Sequence, residues 1–562
     1  MEPLPELVRG EEWHLGAEPE TVDHDAPEAV SPQPHTSDER LEKPVAVITV
    51  ERLAWVLIAL WTLITRIIAV DGRPLSASEA ANGLVGFDLA YRTSEAAAAG
   101  FHPTSSGWIH LLQAGIFVLL GAGDFTARIL YAFSGIVLVG MTFELRRHIG
   151  RAGAIGTGAL LALSPTITWF SRSGSFSIVS AAAASVILVV FLALCQRPSR
   201  RRAGFLGIAG GLLIASGAIG MMLALSMIVS IVLLGLGLFF VTDNAWLRTR
   251  VWLVRYRGHI AIVVLAAVAS WVASQSALRL PLVGLKESAA PLMTLRLPRI
   301  YNSELRSALI PFGFNEFNLV LLSLVGIAVV IALRVRTRLA AFALLWVIVS
   351  LALYLALTNR SAGAILIVVL PFAILSGIVL NYLHLTRIWN YARYPLALVA
   401  LLTLYVQVAT NFIHADPDSS EATWARHANL YWGDDATTVQ TKDQTRAIGK
   451  QVAPDNRTVA HEGMWPAALR WYFRDLRAIP NEELASVVVG TTGKSDFDPN
   501  RSMTFDYTEG WSPDINTLDR KSAMRFFFFQ RAWSPLTTQS VAIEVRNQEQ
   551  AAPTLILPPP GK

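Results

Sequence analysis

The chain has 562 residues, of which 53% are hydrophobic and only 16% charged, with a mean hydropathy of +0.44 and a formal net charge of +5. An apolar surplus of that size has to meet lipid, which excludes a water-soluble globular enzyme and predicts an α-helical polytopic membrane protein. The basic residues are divided among separate clusters, so no nucleic-acid partner is indicated. A single cysteine, Cys195, excludes an internal disulfide and a thiolate metal cluster.

Residues 1–44 carry twelve Asp and Glu against three Arg and Lys, with seven Pro and almost no apolar clustering. Such a stretch cannot bury a core and is predicted to be a disordered acidic tail. It lacks the basic start and short apolar region of a secretory signal. From Val45 the pattern changes. Eleven apolar runs follow, each near the roughly 20 residues needed to cross about 30 Å of hydrocarbon. They are 46–70, 128–145, 152–170, 176–195, 204–221, 223–241, 258–277, 317–333, 339–357, 361–383 and 394–413, and they define a membrane domain over 45–413. The stretch Gly107–Gly123, "GWIHLLQAGIFVLLGAG", is apolar but short and interrupted by His110 and Gln113. It suits an interfacial helix with Trp108, Leu112, Phe117 and Leu120 toward lipid.

Charge bias sets the expected orientation. With Gly107–Gly123 lying flat, the clusters Arg146/Arg147/Arg151, Arg197/Arg200/Arg201/Arg202, Arg248/Arg250/Arg255/Arg257, Arg334/Arg336/Arg338 and Arg387/Arg393 all fall on one side, the cytoplasm. The tail is then cytoplasmic, and loops 71–127 and 278–316 and the whole of 414–562 are external. The last piece contains strand-like runs "RTVAHE", "ASVVVG", "RFFFFQ" and "SVAIEV" around a helix-like "PAALRWYFRDL", which predicts a small external α/β domain.

Several stretches extend this layout. The first loop reads "RPLSASEA" and then "FHPTSSGWIHLLQAGIFVLLGAGDFTARI", followed by "ELRRHIG" at the end of the second run and "LSPTITWFSRSGSFS" at 163–177. The C-terminal part contains "MWPAALRWYFRDL" and "RFFFFQRAWSP". In order and placement these resemble the GT-C superfamily of membrane glycosyltransferases, of the protein O-mannosyltransferase and aminoarabinose-transferase-like kind. They are most similar to its flippase-activity-associated family of archaea and bacteria, with "RPLxxDEA", "HPPL", "lsP...fsR..RxD", "WPlpWYlRd" and "yflyRrpwSP". The resemblance spans most of residues 50–550. It implies about eleven transmembrane helices plus the interfacial helix, and transfer of a sugar from a polyprenyl-phosphate donor to an acceptor glycan, lipid or protein on the outer face of the cytoplasmic membrane.

Each chemical need of that transfer falls on a residue matched by the resemblance. An attacking hydroxyl or amide must lose a proton, and Glu79 is the candidate base. The departing phosphate needs fixed cations, for which Arg73 and Arg172 are placed. His102 could orient a phosphate or sugar hydroxyl, or only set the turn of its His-Pro pair. Trp465, Trp471 and Tyr472 are better read as core than as a sugar platform. Ser78 stands where the pattern has the first acid of "DE", and "SGSFS" replaces the acid expected near Ser177. One Glu among hydroxyls is a poor site for a hard cation, so no bound metal is expected, and no organic cofactor is implied. The runner-up is a non-catalytic protein of the same fold that binds lipid-linked glycan or assists a flippase. A secondary transporter is disfavoured, because no run carries an acid near its midpoint.

The orientation is open to direct test. In a Cys195→Ala background, cysteines placed at Ser106 and Ser495 should react with an impermeant thiol reagent on whole cells, and one at Arg147 should not. Labelling at 147 alone would invert the topology.

Overall fold

The computed structural model describes residues 49–72, 74–92, 107–241, 245–276, 313, 316–332, 337–356, 362–386, 389–413, 445, 448, 457–461, 467–479, 482–491, 502–510, 517–529 and 537–545. Arg73, His102 and Trp465 lie outside these residues, as does the tail 1–44.

In chain order the helices are α1 (Val50–Ile67), α2 (Ala77–Tyr91), α3 (Gly107–Leu120), α4 (Asp124–Met141), the single turn α5 (Arg146–Ile149), α6 (Arg151–Leu163), α7 (Pro165–Arg172) and α8 (Phe176–Gln196). They continue with α9 (Arg200–Ala215), α10 (Ala218–Val241), α11 (Ala245–Ser276), α12 (Phe317–Ala332), α13 (Arg338–Ala356), α14 (Leu366–His384) and α15 (Trp389–Val408), which runs into a π turn at Ala409–Ile413. Among the described residues seven helices are individually long and apolar enough to cross a membrane, and α6 with α7 makes an eighth, bent one. The chain is a multi-pass membrane protein.

Two runs differ from expectation. The run 152–170 is not one helix but α6 and α7, set at 57° to each other across Ser164. Pro165 explains the break: it has no N–H to continue the ladder, its ring forces the preceding residue into extended backbone, and its fixed φ suits a first helical position. Ser164 is extended accordingly, and its side chain caps α7 by accepting from the Ile167 N–H. The boundary between runs 204–221 and 223–241 falls earlier than expected, at Ser216–Gly217, where Gly217 takes φ +105°, a conformation a side chain would strain. At the centre of the bundle α14 is almost wholly buried. It lies against α6 through Gly153, Gly377 and Thr157, so closely that a methyl group at Gly153 would come within 2.8 Å of the Gly377 carbonyl oxygen.

The first loop contains two helices rather than one. The second, α3, has 14 residues, too few to span. Its outward side carries Leu111, Leu112, Val118, Leu119 and Leu120. Leu112 and Leu120 therefore face out as expected, Trp108 is half-buried, and Phe117 is fully buried. The reason is helical phase: Ile109, His110, Gln113, Ala114 and Phe117 form one stripe, and that stripe is the inner one.

The C-terminal part forms a five-stranded mixed sheet in the order β2-β1-β3-β5-β4, from β1 (Thr458–His461), β2 (Arg477–Ala478), β3 (Val487–Thr491), β4 (Ser502–Gly510) and β5 (Thr537–Val545). β1 is parallel to β2 and β3, while β5 is antiparallel to β3 and β4. Helix α16 (Ala467–Tyr472) packs on it, with Leu469 and Phe473 closing a core of Val459, Val487, Val489, Val541 and Ile543. The strand-like run "RFFFFQ" is instead the end of a helix, α17 (Arg520–Phe529). Asp519 starts it by accepting from the Ser522 and Ala523 N–H groups, the first through its side chain and the second through its carbonyl. The other face of α16 meets the first loop, where Ala468, Trp471 and Tyr472 join Leu75, Ala80, Leu84, Phe87 and Phe117 in one cluster.

Candidate functional site

Helix α1 ends at Ile67 with its last carbonyls unpaired, as every helix does. Buried arginines take them up. Arg172, in the last turn of α7, donates to the carbonyls of Thr65 at 3.0 Å, Ile68 at 2.7 Å and Ala69 at 2.8 Å, and its guanidinium stacks on Phe412. Arg66, fully buried in the last turn of α1, does the same for α6: it donates to the carbonyls of Leu161 and Ala162, both at 3.0 Å. Gln407 of α15 adds a bond to the Ala162 carbonyl at 2.7 Å. Arg128 of α4 reaches the carbonyls of Val70 at 2.7 Å and Pro74 at 2.8 Å. The α1–α2 turn is thus held from two helices by cations that bind its backbone.

Glu79 sits in the middle of this arrangement, and it is not an exposed loop acid. Ser76 and Glu79 form a reciprocal capping box at the start of α2: the Glu79 N–H donates to Ser76 Oγ and the Ser76 N–H to Glu79 Oε2. Arg128 grips the same carboxylate with both edges, Nε to Oε1 at 2.9 Å and Nη2 to Oε2 at 2.7 Å. The N–H of Gly174, just beyond α7, donates to Oε1 at 2.8 Å. Gly174 has to be small there, since a methyl group would press to 3.3 Å from Glu79 Cγ. Both oxygens therefore carry two bonds each, and the side chain is only 3% exposed. In this conformation the carboxylate is a clamp between α2, α4 and α7, and proton acceptance by it requires Arg128 to move away.

The other sequence candidates fall as follows. Arg172 is in the same cluster as Glu79, but its mapped bonds go to backbone carbonyls rather than outward. Arg73 and His102 lie outside the described residues. Ser78, beside Glu79, is exposed. Trp471 and Tyr472 are core: the Trp471 N–H donates to Asp124 Oδ1 at 3.1 Å, and the Tyr472 hydroxyl donates to Asp124 Oδ2 at 3.4 Å and accepts from the Leu75 N–H at 2.9 Å. Asp124 and the exposed Asp71 border an open cavity of about 420 Å³ with Gly121, Phe125 and Thr126. The histidine that does enter the structure here is His110 of α3, fully buried and edge-on to Phe176 at 5.0 Å. Burial pushes it down to about 4, against a hydrogen bond with Gln113.

A fully buried acid lies at the other end of α7. Glu316 is the residue just before α12 and is 0% exposed. The Ser164 hydroxyl donates to its Oε1 at 2.5 Å and the Thr166 N–H to the same oxygen at 2.8 Å, while Oε2 has no hydrogen-bond partner among the described residues. Burial pushes this carboxyl up to about 7, with Ser164 and Thr166 opposing. Asn411 reaches the same turn, donating to the carbonyls of Gln407 at 3.1 Å and Pro165 at 3.4 Å, its own oxygen unpartnered among the described residues. A Pro five residues before "FSR" and a Ser before it were legible as a cap, but no local pattern links that cap to an acid about 150 residues away.

Among the described residues no three His, Cys, Asp or Glu side chains converge. Glu79, with its oxygens committed to Arg128 and two backbone N–H groups, does not fit a divalent cation.

No protein-family model matches the chain, and no curated protein does. Solved structures do. ArnT from Cupriavidus metallidurans bound to undecaprenyl phosphate superposes with a TM-score of 0.56 at 15% identity, covering 87% of this chain and 97% of ArnT. The fold is the GT-C fold. The apo state of the same ArnT gives a TM-score of 0.53 at 14% identity, covering 87% and 98%. The Archaeoglobus fulgidus oligosaccharyltransferase complexed with zinc and sulfate gives 0.46 at 12%, covering 78% and 68%.

Two measurements test the site. Removing one partner of a buried ion pair strands the other, which costs about 3–5 kcal/mol. Glu79→Ala and Arg128→Ala should each lower thermal stability by that order, and the double variant should lose much less than their sum. Additive losses would mean the pair is not coupled. For His110 the sign follows from linkage: unfolded chains take up its proton near pH 6.5, the folded chain only near 4. Stability should fall as the pH is lowered from about 6.5 to about 4, and the difference between wild type and His110→Gln isolates that slope.

Proposed function

We propose that this protein binds a polyprenyl-phosphate-linked sugar at the outer face of the cytoplasmic membrane and transfers the sugar to an acceptor. The observation that carries the reading is the GT-C fold matched along 97% of an ArnT bound to undecaprenyl phosphate. The bundle offers apolar helices for the polyprenyl chain of such a donor. In this reading Arg73 and His102 contact the phosphate, Arg172 fixes the end of α1 behind them, and Glu79 sets the first turn of α2. The N-terminus is cytoplasmic and the sheet domain external.

A second reading, binding of the lipid-linked glycan without transfer, is favoured by one specific feature. Glu79, the candidate base, is held by Arg128 and two N–H groups. A carboxylate whose lone pairs are all in use does not take up a proton from an attacking hydroxyl.

Full-length protein in nanodiscs separates these readings. Undecaprenyl phosphate should raise its melting temperature, and Arg73→Ala should weaken that binding by about tenfold or more, the worth of a charge-assisted bond. Incubation with a pool of polyprenyl-phosphate sugars and membrane extract should release undecaprenyl phosphate. Binding without release would establish the second reading, and the absence of binding would sink both.

A further inference from the structure

We infer that the break between α6 and α7 is a proton-binding site, in which Glu316 sits as a neutral carboxylic acid and in that form fastens the start of α12 to the start of α7. The geometry is that of an acid rather than a carboxylate. One oxygen, Oε1, accepts two bonds, as a carbonyl oxygen would, and the other, Oε2, accepts none. An ionised carboxylate spreads its charge over both oxygens and draws donors to each, as Glu79 does in the same protein. A protonated one has a hydroxyl to donate. The unpartnered oxygen of Asn411, whose amide bonds the same Pro165 turn, is the kind of acceptor that hydroxyl needs.

Charge balance points the same way. A buried ionised group costs several kcal/mol unless a cation pairs with it. Glu316 is 0% exposed and forms no ion pair with any described residue. α12 has no titratable residue in Phe317–Ala332. On α7 the only one is Arg172, at the far end of a helix about 12 Å long. The nearest stretch of α15 and its π turn offers Tyr405, Gln407 and Asn411, all neutral. Arg66 of α1 lies across the break, with its Nη atoms on the Leu161 and Ala162 carbonyls. Against burial stand the helix N-terminus, whose dipole favours an anion, and the two donors on Oε1. Burial is the larger effect, which agrees with a carboxyl pushed up to about 7.

The site matters because of what α7 carries. Ser164 and Thr166 begin that helix, and Arg172 and Gly174, which hold α1 and Glu79, end it. Glu316 is therefore a positioning residue for the Glu79 cluster, acting through one short rigid helix. Its ionisation places an unpaired charge at the opposite end of that helix.

Infrared difference spectroscopy on the full-length protein tests this without any assay of sugar transfer. At pH 6 the wild type should show a carboxylic-acid carbonyl band that is absent from Glu316→Gln, and the band should vanish as the pH rises through about 7. The stability measurement has a definite sign. The folded protein holds this proton when unfolded chains, titrating near 4.5, have lost it, so wild-type stability should fall relative to Glu316→Gln as the pH rises from about 4.5 through 7. Glu316→Gln keeps the neutral shape and should match wild type at or below about pH 4.5, where the linked stabilisation is fully present, whereas Glu316→Ala should be destabilised there. A Gln variant as unstable as the Ala variant at about pH 4.5, or no band assignable to Glu316, would overturn the proposal. So would stabilisation by sodium that Glu316→Gln abolishes, which would make the site one for a metal cation.

Discussion

In a bilayer a backbone N–H or C=O has no water to turn to, so a helix that stops inside the membrane domain must have its loose ends met by the protein itself. That requirement organises this molecule. The chain breaks a span at Ser164–Pro165, which exposes the last carbonyls of α6 and the first amides of α7 side by side. Arg66 and Gln407 satisfy the first set, Ser164 and Glu316 the second. The end of α1 creates a third set, and Arg172 and Arg128 meet it. Residues whose charges look functional in a sequence are here the supports of backbone that hydrocarbon would not tolerate.

These supports are linked head to tail. The last turn of α1 supplies Arg66 to the end of α6, and the last turn of α7 supplies Arg172 back to the end of α1, so neither helix end can shift without the other. Each cation sits at a helix C-terminus, where the dipole favours it, and the acidic residues Glu79 and Glu316 sit at the N-termini of α2 and α7, where it favours negative charge. The pairing differs in one respect that decides their chemistry. Glu79 has Arg128 and is fully hydrogen-bonded, while Glu316 has no such partner and one idle oxygen. Two acids at helix starts thus sit in opposite electrostatic settings, joined by one eight-residue helix.

Much of this fold was legible because hydrophobic run length is a strong signal in a membrane protein, and among the described residues each run from 46–70 to 394–413 coincides largely with helix. Pro165 was legible too, but a long apolar average over 152–170 outweighed it. The four phenylalanines of α17 look like a strand in isolation, and only the Asp519 cap upstream marks them as helix. In the site, "SASE" at 76–79 is a capping-box pattern in plain view, and reading Glu79 as a base passed over it. The arginine at 128 was part of a matched motif without any sign that it pairs with 79. Glu316 was hidden for a different reason: its meaning comes from Ser164 and Thr166, which are distant in sequence, and burial of that kind leaves no local trace.

The placement of Ser78 bears on whether this GT-C fold still carries out transfer. In the acid pair that the first loop resembles, the second position is Glu79, and it is consumed by the cap and by Arg128. The first position is Ser78, exposed on the opening turn of α2. Of the two, only the first faces outward where a substrate hydroxyl could reach it, and there this chain has a hydroxyl in place of a carboxylate. Retaining the acid at 79 therefore preserves the architecture of the first loop and says little about chemistry, whereas Ser78 removes the acid best placed to act as a base. On the proposed transfer reading, proton acceptance would fall to a group other than Glu79, and Asp71, exposed and bordering the cavity that Asp124 also lines, is one described carboxylate nearby.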